Sequence, residues 1–318
     1  MLESRTKYVT YRNSLDEINR VAKEDPAAFI SSAESSYRKN IRKIAEQIAG
    51  EKPMCRLVML AGPSSSGKTT TAHRLISALK EIGVGCVSIS LDDFYLGENR
   101  APLRPDGRRD YECLQALDVK KIQECLSGLV ENDRCEMPVF DFEQHVPYPH
   151  CRQVVLHENE VAVVEGIHAL NPVLIGHLPA LRVRRIYISV KQGVTAAGRE
   201  LLGPNDIRLV RRLVRDYNFR RTSPENTLNM WENVMEGEYR YIKPFRKDAD
   251  ITVNSFHAYE VCALRDRALE LLHTVPEGSP ARAPAMKLRA ALERFSPVDT
   301  NFIPKDSVIR EFIGGGVA

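Results

Sequence analysis

One stretch constrains this chain more than any other: Ala61 to Thr70, AGPSSSGKTT. It follows the apolar run Leu57-Val58-Met59-Leu60 and opens a helical pattern through Leu75, Ile76 and Leu79. Gly62, four intervening residues and then Gly67-Lys68-Thr69 satisfy the GxxxxGK[ST] spacing of a phosphate-binding loop. Glycine lets the backbone curl until successive N–H groups point inward at phosphate oxygens. The helix that follows contributes the positive end of its dipole. In this reading Ser64, Ser65, Ser66 and Thr70 belong to the cradle. Lys68 reaches the β/γ-phosphates and Thr69 offers a hydroxyl to Mg²⁺. A plain strand-to-helix turn is the alternative, and it calls for none of these residue types.

The rest of the chain supplies a protein large enough to use such a loop. Its 318 residues allow one large or two modest domains, with 43% hydrophobic and 27% charged residues, as in ordinary globular proteins. A net charge of +3 is too small to imply a nucleic-acid partner by itself. Seven scattered cysteines without a CxxC pair argue for a reducing compartment and against a disulfide framework or zinc site. The charged start MLESRTKYVTYRN lacks an apolar signal core, and no apolar run is long enough to span a bilayer. The expectation is a cytoplasmic protein with no membrane partner, and a homo-oligomer remains open. Three regions are expected: a helical lead-in over 1–52, a domain built around the phosphate loop over 53–275 and a helical extension over 276–318. The lead-in breaks at Asp25-Pro26, and Ile41, Ile44, Ala45 and Ile48 recur there at helix spacing. Nothing in it looks catalytic. The linker-like PEGSPARAP introduces a tail read as an appendage.

After the loop, a helix from Lys68 to about Ile82 leads to the β-rich run Val84 to Leu91. Strand, helix and strand in this order predict a right-handed βαβ unit and a parallel sheet. Ligands of such sheets sit beyond the carboxyl ends of the strands. Asp92 and Asp93 therefore stand beside the loop, and one of them can take a proton from an attacking hydroxyl. The plainer role for both is to cap the next segment. Residues 97–111 form a polar loop long enough to cover a substrate. Phe140, Phe142 and His145, in PVFDFEQH, make either a flat pocket for a ring or ordinary core with a surface histidine. EVAVVE ends on Glu165, the position for a carboxylate that holds Mg²⁺ directly or through water, or that merely caps the strand. RRIYISV and DITVN read as further strands.

Between those two strands, Arg208, Arg211, Arg212, Arg215, Arg220 and Arg221 place six guanidinium groups in fourteen residues. The first four share one helix face by their spacing. Guanidinium clamps phosphate well, so this helix reads as a lid over ATP, with an RNA-binding face as the rival.

Taken together, GPSSSGKTTTAHRL, SLDDFY, RRDYECLQALD, PVFDFEQH, VVEGIHALNP, RRLVRD and GEYRYIKPFRKDAD resemble the uridine kinase and phosphoribulokinase family of P-loop kinases. The matching segments run in family order over roughly 53–275, in wording closest to a bacterial uridine-kinase-like branch whose longer members carry a TGS domain. The resemblance implies an α/β P-loop NTPase fold, a parallel β-sheet flanked by helices with an arginine-rich helical lid. It also implies ATP and Mg²⁺ as cofactors and a small-molecule acceptor, the 5′-hydroxyl of uridine or cytidine first. Asp92 becomes the base, Lys68 and Thr69 the phosphate and metal residues, and Glu165 the metal carboxylate. Asp110 would hold ribose hydroxyls. Asp93, Tyr95, Phe140, Phe142 and His145 would line the acceptor site, and Arg211, Arg215 and Arg220 would serve the lid. Arg109, Phe140 and Thr222 depart from the pattern expected of uridine–cytidine kinases. That leaves a different sugar-type acceptor, or a nucleotide-gated RNA-binding protein, as the alternatives.

Overall fold

The computed structural model describes residues 11–51, 54–97, 100–104, 107–141, 144 and 146–316. The chain begins with β1 (Tyr11–Ser14), α1 (Leu15–Glu24), α2 (Pro26–Gly50), β2 (Leu57–Ala61), α3 (Lys68–Glu81) and β3 (Gly85–Ser90). It continues through α4 (Val119–Glu131), β4 (Arg134–Asp141), β5 (Val146–Val155), β6 (Glu160–Glu165), α5 (Pro172–Ile175) and β7 (Val183–Ser189). Then come β8 (Gln192–Ala196), β9 (Arg199–Leu202), α6 (Pro204–Arg220), α7 (Pro224–Gly237) and β10 (Ile251–Asn254). The last helices are α8 (Glu260–His273), α9 (Arg282–Leu292) and α10 (Arg310–Ile313). As expected, the break between the first two helices falls at Asp25-Pro26. Proline opens a helix but cannot continue one.

Two compact units divide the chain. The first gathers 1–36, 189–231 and 254–318, and the second 37–188 and 232–253.

The second unit is built on a five-stranded sheet in the order β10-β7-β2-β6-β3. β2 pairs in parallel with β6 and with β7, and β3 pairs in parallel with β6. The apolar run LVMLA is buried at every position, which suits a central strand covered on both faces. Leu57, Met59 and Ala61 pack in one core with Ile122, Leu126 and Leu129 of α4. Each of the leucine, isoleucine and methionine side chains contributes about 1.5–3 kcal/mol by leaving water. β2 has β6 on one side and β7 on the other, so the chain reverses its winding direction there. A crevice opens at such a switch point, beyond the strand ends. β4 and β5 form a separate antiparallel hairpin, with a bulge between Pro138 and Phe140.

The first unit contains a small sheet in which β1 lies parallel to β8 and β8 antiparallel to β9. Ala197 and Gly198, at φ 49° and 74°, make the two-residue turn between the last two. Positive φ at both central residues matches the right-handed twist of a hairpin. Buried polar groups knit this unit together. Tyr259 donates to Glu34 at 2.6 Å, and Ser307 also donates to Glu34. His257 Nε2 lies 3.5 Å from the same carboxylate. The tail read as an appendage is instead core: Val308, Ile309 and Phe312 are fully buried, and the Arg211 guanidinium sits 5.1 Å above the Phe312 ring.

Candidate active site

Gly62 follows the end of β2, and there the backbone has no room for a side chain. A Cβ would stand 2.2 Å from the Ile188 carbonyl oxygen and 2.8 Å from Ser66 Oγ. Ser65 and Gly67 then take φ 58° and 82°. These left-handed positions curl the chain before α3 begins at Lys68. Ser66 is fully buried, with no hydrogen-bond partner for its hydroxyl among the described residues. The Lys68 ammonium folds back to the Pro63 carbonyl at 3.3 Å, which holds its charge over the loop. A curled loop ending on a helix N-terminus, with a lysine over it, suits the phosphates of a nucleotide.

Thr69, exposed in the first turn of α3, donates from Oγ1 to Glu165 Oε1 at 3.4 Å. Ser90 donates to the same oxygen at 3.1 Å. The register explains the meeting: Glu165 pairs with Leu60 of β2 on one side and Ser90 of β3 on the other. The loop, the carboxylate and the end of β3 therefore occupy one carboxyl edge. A hydroxyl and one carboxylate fit Mg²⁺, which keeps waters and phosphate oxygens and needs no all-protein cage. No cluster of three or more metal-ligating side chains occurs among the described residues.

From that edge Ser90 caps a short 3₁₀ turn, Leu91–Phe94, by accepting from the Asp92 N–H at 3.3 Å. Asp92 is half-buried on this turn. Its neighbour has a different occupation: Asp93 Oδ1 accepts from the Phe140 N–H at 3.3 Å and ties the turn to the β4 strand. Burial raises the Asp93 carboxyl above its ordinary range, opposed by that N–H and by the charge of Arg152.

Asp110 sits on a loop that is fastened at several points. Arg104 donates to Glu236 at 2.8 Å, and Arg109 donates to the Ala101 carbonyl at 2.7 Å. Asp110 Oδ1 accepts from the Glu112 N–H at 3.1 Å, and Oδ2 accepts from the Tyr241 hydroxyl at 3.2 Å. Tyr95 donates to the Tyr111 carbonyl at 3.1 Å, and its ring lies 6.0 Å from Phe140 and 6.3 Å from Tyr111. Phe142 and His145 lie outside the described residues. Tyr111 and Tyr241 escaped the sequence reading, although both stand inside quoted motifs, RRDYECLQALD and GEYRYIKPFRKDAD. His168 stands at 2% exposure with its ring 6.4 Å from that of Tyr241. Burial pulls its pKa down to about 4, against the Glu112 and Cys113 carbonyls and the Asp110 charge.

In the first unit, α6 carries the arginines, and here the structure corrects one expectation. Arg211 is fully buried and donates to Glu260 and to the Ser255 carbonyl, the latter at 2.7 Å. Its charge answers a buried carboxylate 49 residues away, so it does not serve as a lid residue. Burial pushes Glu260 up to about 7 against the pull of Arg211. Arg215 donates to Asp216 at 2.6 Å, while Arg212 and Arg220 approach that carboxylate to 3.1 and 3.7 Å. Three guanidiniums thus share one acid. Arg220 is exposed.

Residues 57–261, more than half of the chain, match the phosphoribulokinase / uridine kinase family model. A uridine kinase of Ureaplasma parvum is 24% identical over 198 residues, spanning 62% of this chain and 86% of that protein. A uridine kinase of Lactobacillus helveticus is 28% identical over 204 residues, 64% of this chain and 87% of its own. A solved structure of a candidate fructose transport system kinase from Silicibacter sp. TM1040 shares the fold. Its TM-score is 0.50 at 22% identity, over 68% of this chain and 98% of that one. With a phosphate-type loop, a facing carboxylate and a half-buried aspartate on one edge of a parallel sheet, the chain belongs to the phosphoribulokinase / uridine kinase family of nucleoside and sugar kinases.

Proposed function

We propose that the protein transfers the γ-phosphoryl group of ATP, with Mg²⁺, to a hydroxyl of a small acceptor, and that uridine or cytidine, through its 5′-hydroxyl, is that acceptor. The observation that carries this reading is the convergence of Thr69, Glu165 and Ser90 at the strand ends that also present the loop and Asp92. The 62–69 backbone and Lys68 hold phosphate oxygens in place. Thr69 and Glu165 are the residues to hold Mg²⁺, which when bound offsets charge on the phosphates. Asp92 orients the acceptor hydroxyl and takes its proton. Asp110, with both carboxylate oxygens already steadied by one donor each, has lone pairs left for a pair of neighbouring hydroxyls. Tyr95 and Phe140, with rings tilted 58° to one another, supply an aromatic corner on the acceptor side.

A different sugar-type acceptor is the second reading. Asp110 recognises a diol whether or not a base is attached, and Arg109 is engaged with the Ala101 carbonyl rather than forming an aromatic wall. ATP consumption with Mg²⁺ across nucleosides and small sugars, with mass spectrometry of products, separates the two. Formation of uridine or cytidine 5′-monophosphate supports the first reading, and a phosphorylated sugar without it supports the second. ATP binding with no product from any acceptor would overturn both.

A further inference from the structure

Helix α2 brings one side chain against the root of the phosphate loop. Tyr37 is buried, and its hydroxyl lies 2.7 Å from Thr71 Oγ1. Thr71, also buried, is 2.5 Å from the Gly67 carbonyl oxygen through the same Oγ1. A threonine hydroxyl has one proton. Since the Gly67 carbonyl can only accept, that proton goes to Gly67, and Tyr37 must be the donor to Thr71. The order is therefore Tyr37 to Thr71 to Gly67. The Arg74 guanidinium, 5.6 Å above the Tyr37 ring, holds the ring in this place.

Gly67 is the left-handed residue on which the loop becomes a helix, and its carbonyl belongs to the same peptide unit as the Lys68 N–H. In a planar trans peptide these two groups point in opposite directions. Fixing the carbonyl toward Thr71 therefore aims the Lys68 N–H away from the helix body, toward the space inside the loop. The Thr71 N–H also donates to this carbonyl, at 3.0 Å, but a left-handed glycine is free to rock about that single contact. A second donor, itself held by a buried phenol, removes the freedom.

We infer that Tyr37 is a positioning residue of the nucleotide site, acting through Thr71 to set the peptide that presents the Lys68 N–H to phosphate. This gives the N-terminal helix a part in nucleotide binding. It rests on the nucleotide-site reading above and extends that reading to a residue outside the loop.

The test is titration calorimetry of the full chain with ATP and Mg²⁺. Tyr37→Phe keeps the ring and its packing and removes only the hydroxyl. The expected result is a Kd for ATP raised about threefold to tenfold, the worth of one net hydrogen bond, with Kd for uridine as the acceptor probe unchanged. Thr71→Val should weaken ATP by a similar factor, and Thr71→Ser, which keeps the hydroxyl, should restore it. The double variant should be no weaker than Thr71→Val alone, because both act through one hydroxyl. A merely structural role would instead lower Tm and weaken both ligands together. Wild-type ATP affinity in Tyr37→Phe would overturn the inference and leave the kinase reading standing. Failure of the unaltered chain to bind ATP would overturn both. Should Tyr37→Phe fold poorly, equal ATP affinities in Thr71→Val and Thr71→Ser would be the overturning result.

Discussion

The Thr69 hydroxyl and the Glu165 carboxylate lie 3.4 Å apart although 96 residues separate them in sequence. Parallel pairing makes the encounter possible, since β2 delivers the loop and β6 delivers the carboxylate to the same edge. Glu165→Gln keeps the shape and removes the charge. The Mg²⁺ concentration that half-saturates ATP binding should rise by about tenfold or more. Titration of Mg²⁺ at fixed ATP reads this, and an unchanged midpoint would take Glu165 out of the metal site.

Asp92 stands on the cap made by Ser90, at the end of the strand beside Glu165. Asp92→Asn should leave Kd for ATP near the wild-type value and lower kcat by about 10²-fold or more, the loss of a positioned base. Full turnover in the variant would mean that another group accepts the proton.

Gly62→Ala would place a methyl 2.2 Å from a backbone oxygen, where neither the loop nor β7 can easily withdraw. Overpacking of this kind costs about 1–3 kcal/mol. We expect a lower urea midpoint together with weakened ATP binding. A fully stable variant that binds ATP normally would refute the close approach.

Arg211 and Arg220 should separate cleanly. Arg211→Met leaves Glu260 buried without its counter-charge, and such a break costs about 3–5 kcal/mol. Arg220 lies on the surface, so Arg220→Ala should change stability by about 0.5 kcal/mol or less. Denaturant titration distinguishes the two variants. A stable Arg211→Met would contradict the role given to the buried pair.

His168 predicts an acid-sensitive fold. Its pKa near 4 lies below the unfolded value of about 6.5, so between those limits the unfolded chain takes up a proton that the native chain refuses. Stability from this residue is whole above about pH 6.5 and falls as pH drops toward 4, by about 3 kcal/mol at most. His168→Leu should flatten that part of the curve. Parallel slopes for the variant and the parent across this window would show that His168 is protonated in the native state as well.

The candidate site was legible where each of its parts has a local sign. Gly62 to Thr69 follow β2, Asp92 stands two residues past β3 and Glu165 closes β6, and a strand's end can be read from where its apolar run stops. What escaped depends on partners far away. The Tyr241 hydroxyl meets Asp110 across 131 residues, and no local pattern announces it. Arg211 looked like its neighbours on the helix because spacing gives a face but not what the face meets; Glu260 decided its role. The β8–β9 hairpin was missed for a milder reason. Its turn is Ala197-Gly198, and alanine is not among the residues that announce a left-handed turn.

The Glu34 carboxylate of the first unit has its partners at Tyr259 and Ser307, the latter 273 residues further along the chain. During synthesis at about 5–20 residues per second, that interval lasts roughly 14–55 s. The second unit is complete in sequence at residue 253, before either partner of Glu34 exists. The sheet that carries the phosphate loop can therefore form while the chain is still growing. The first unit must wait for Tyr259 and Ser307, and a chain stalled short of Ser307 would expose its unfinished interior to chaperones and proteases.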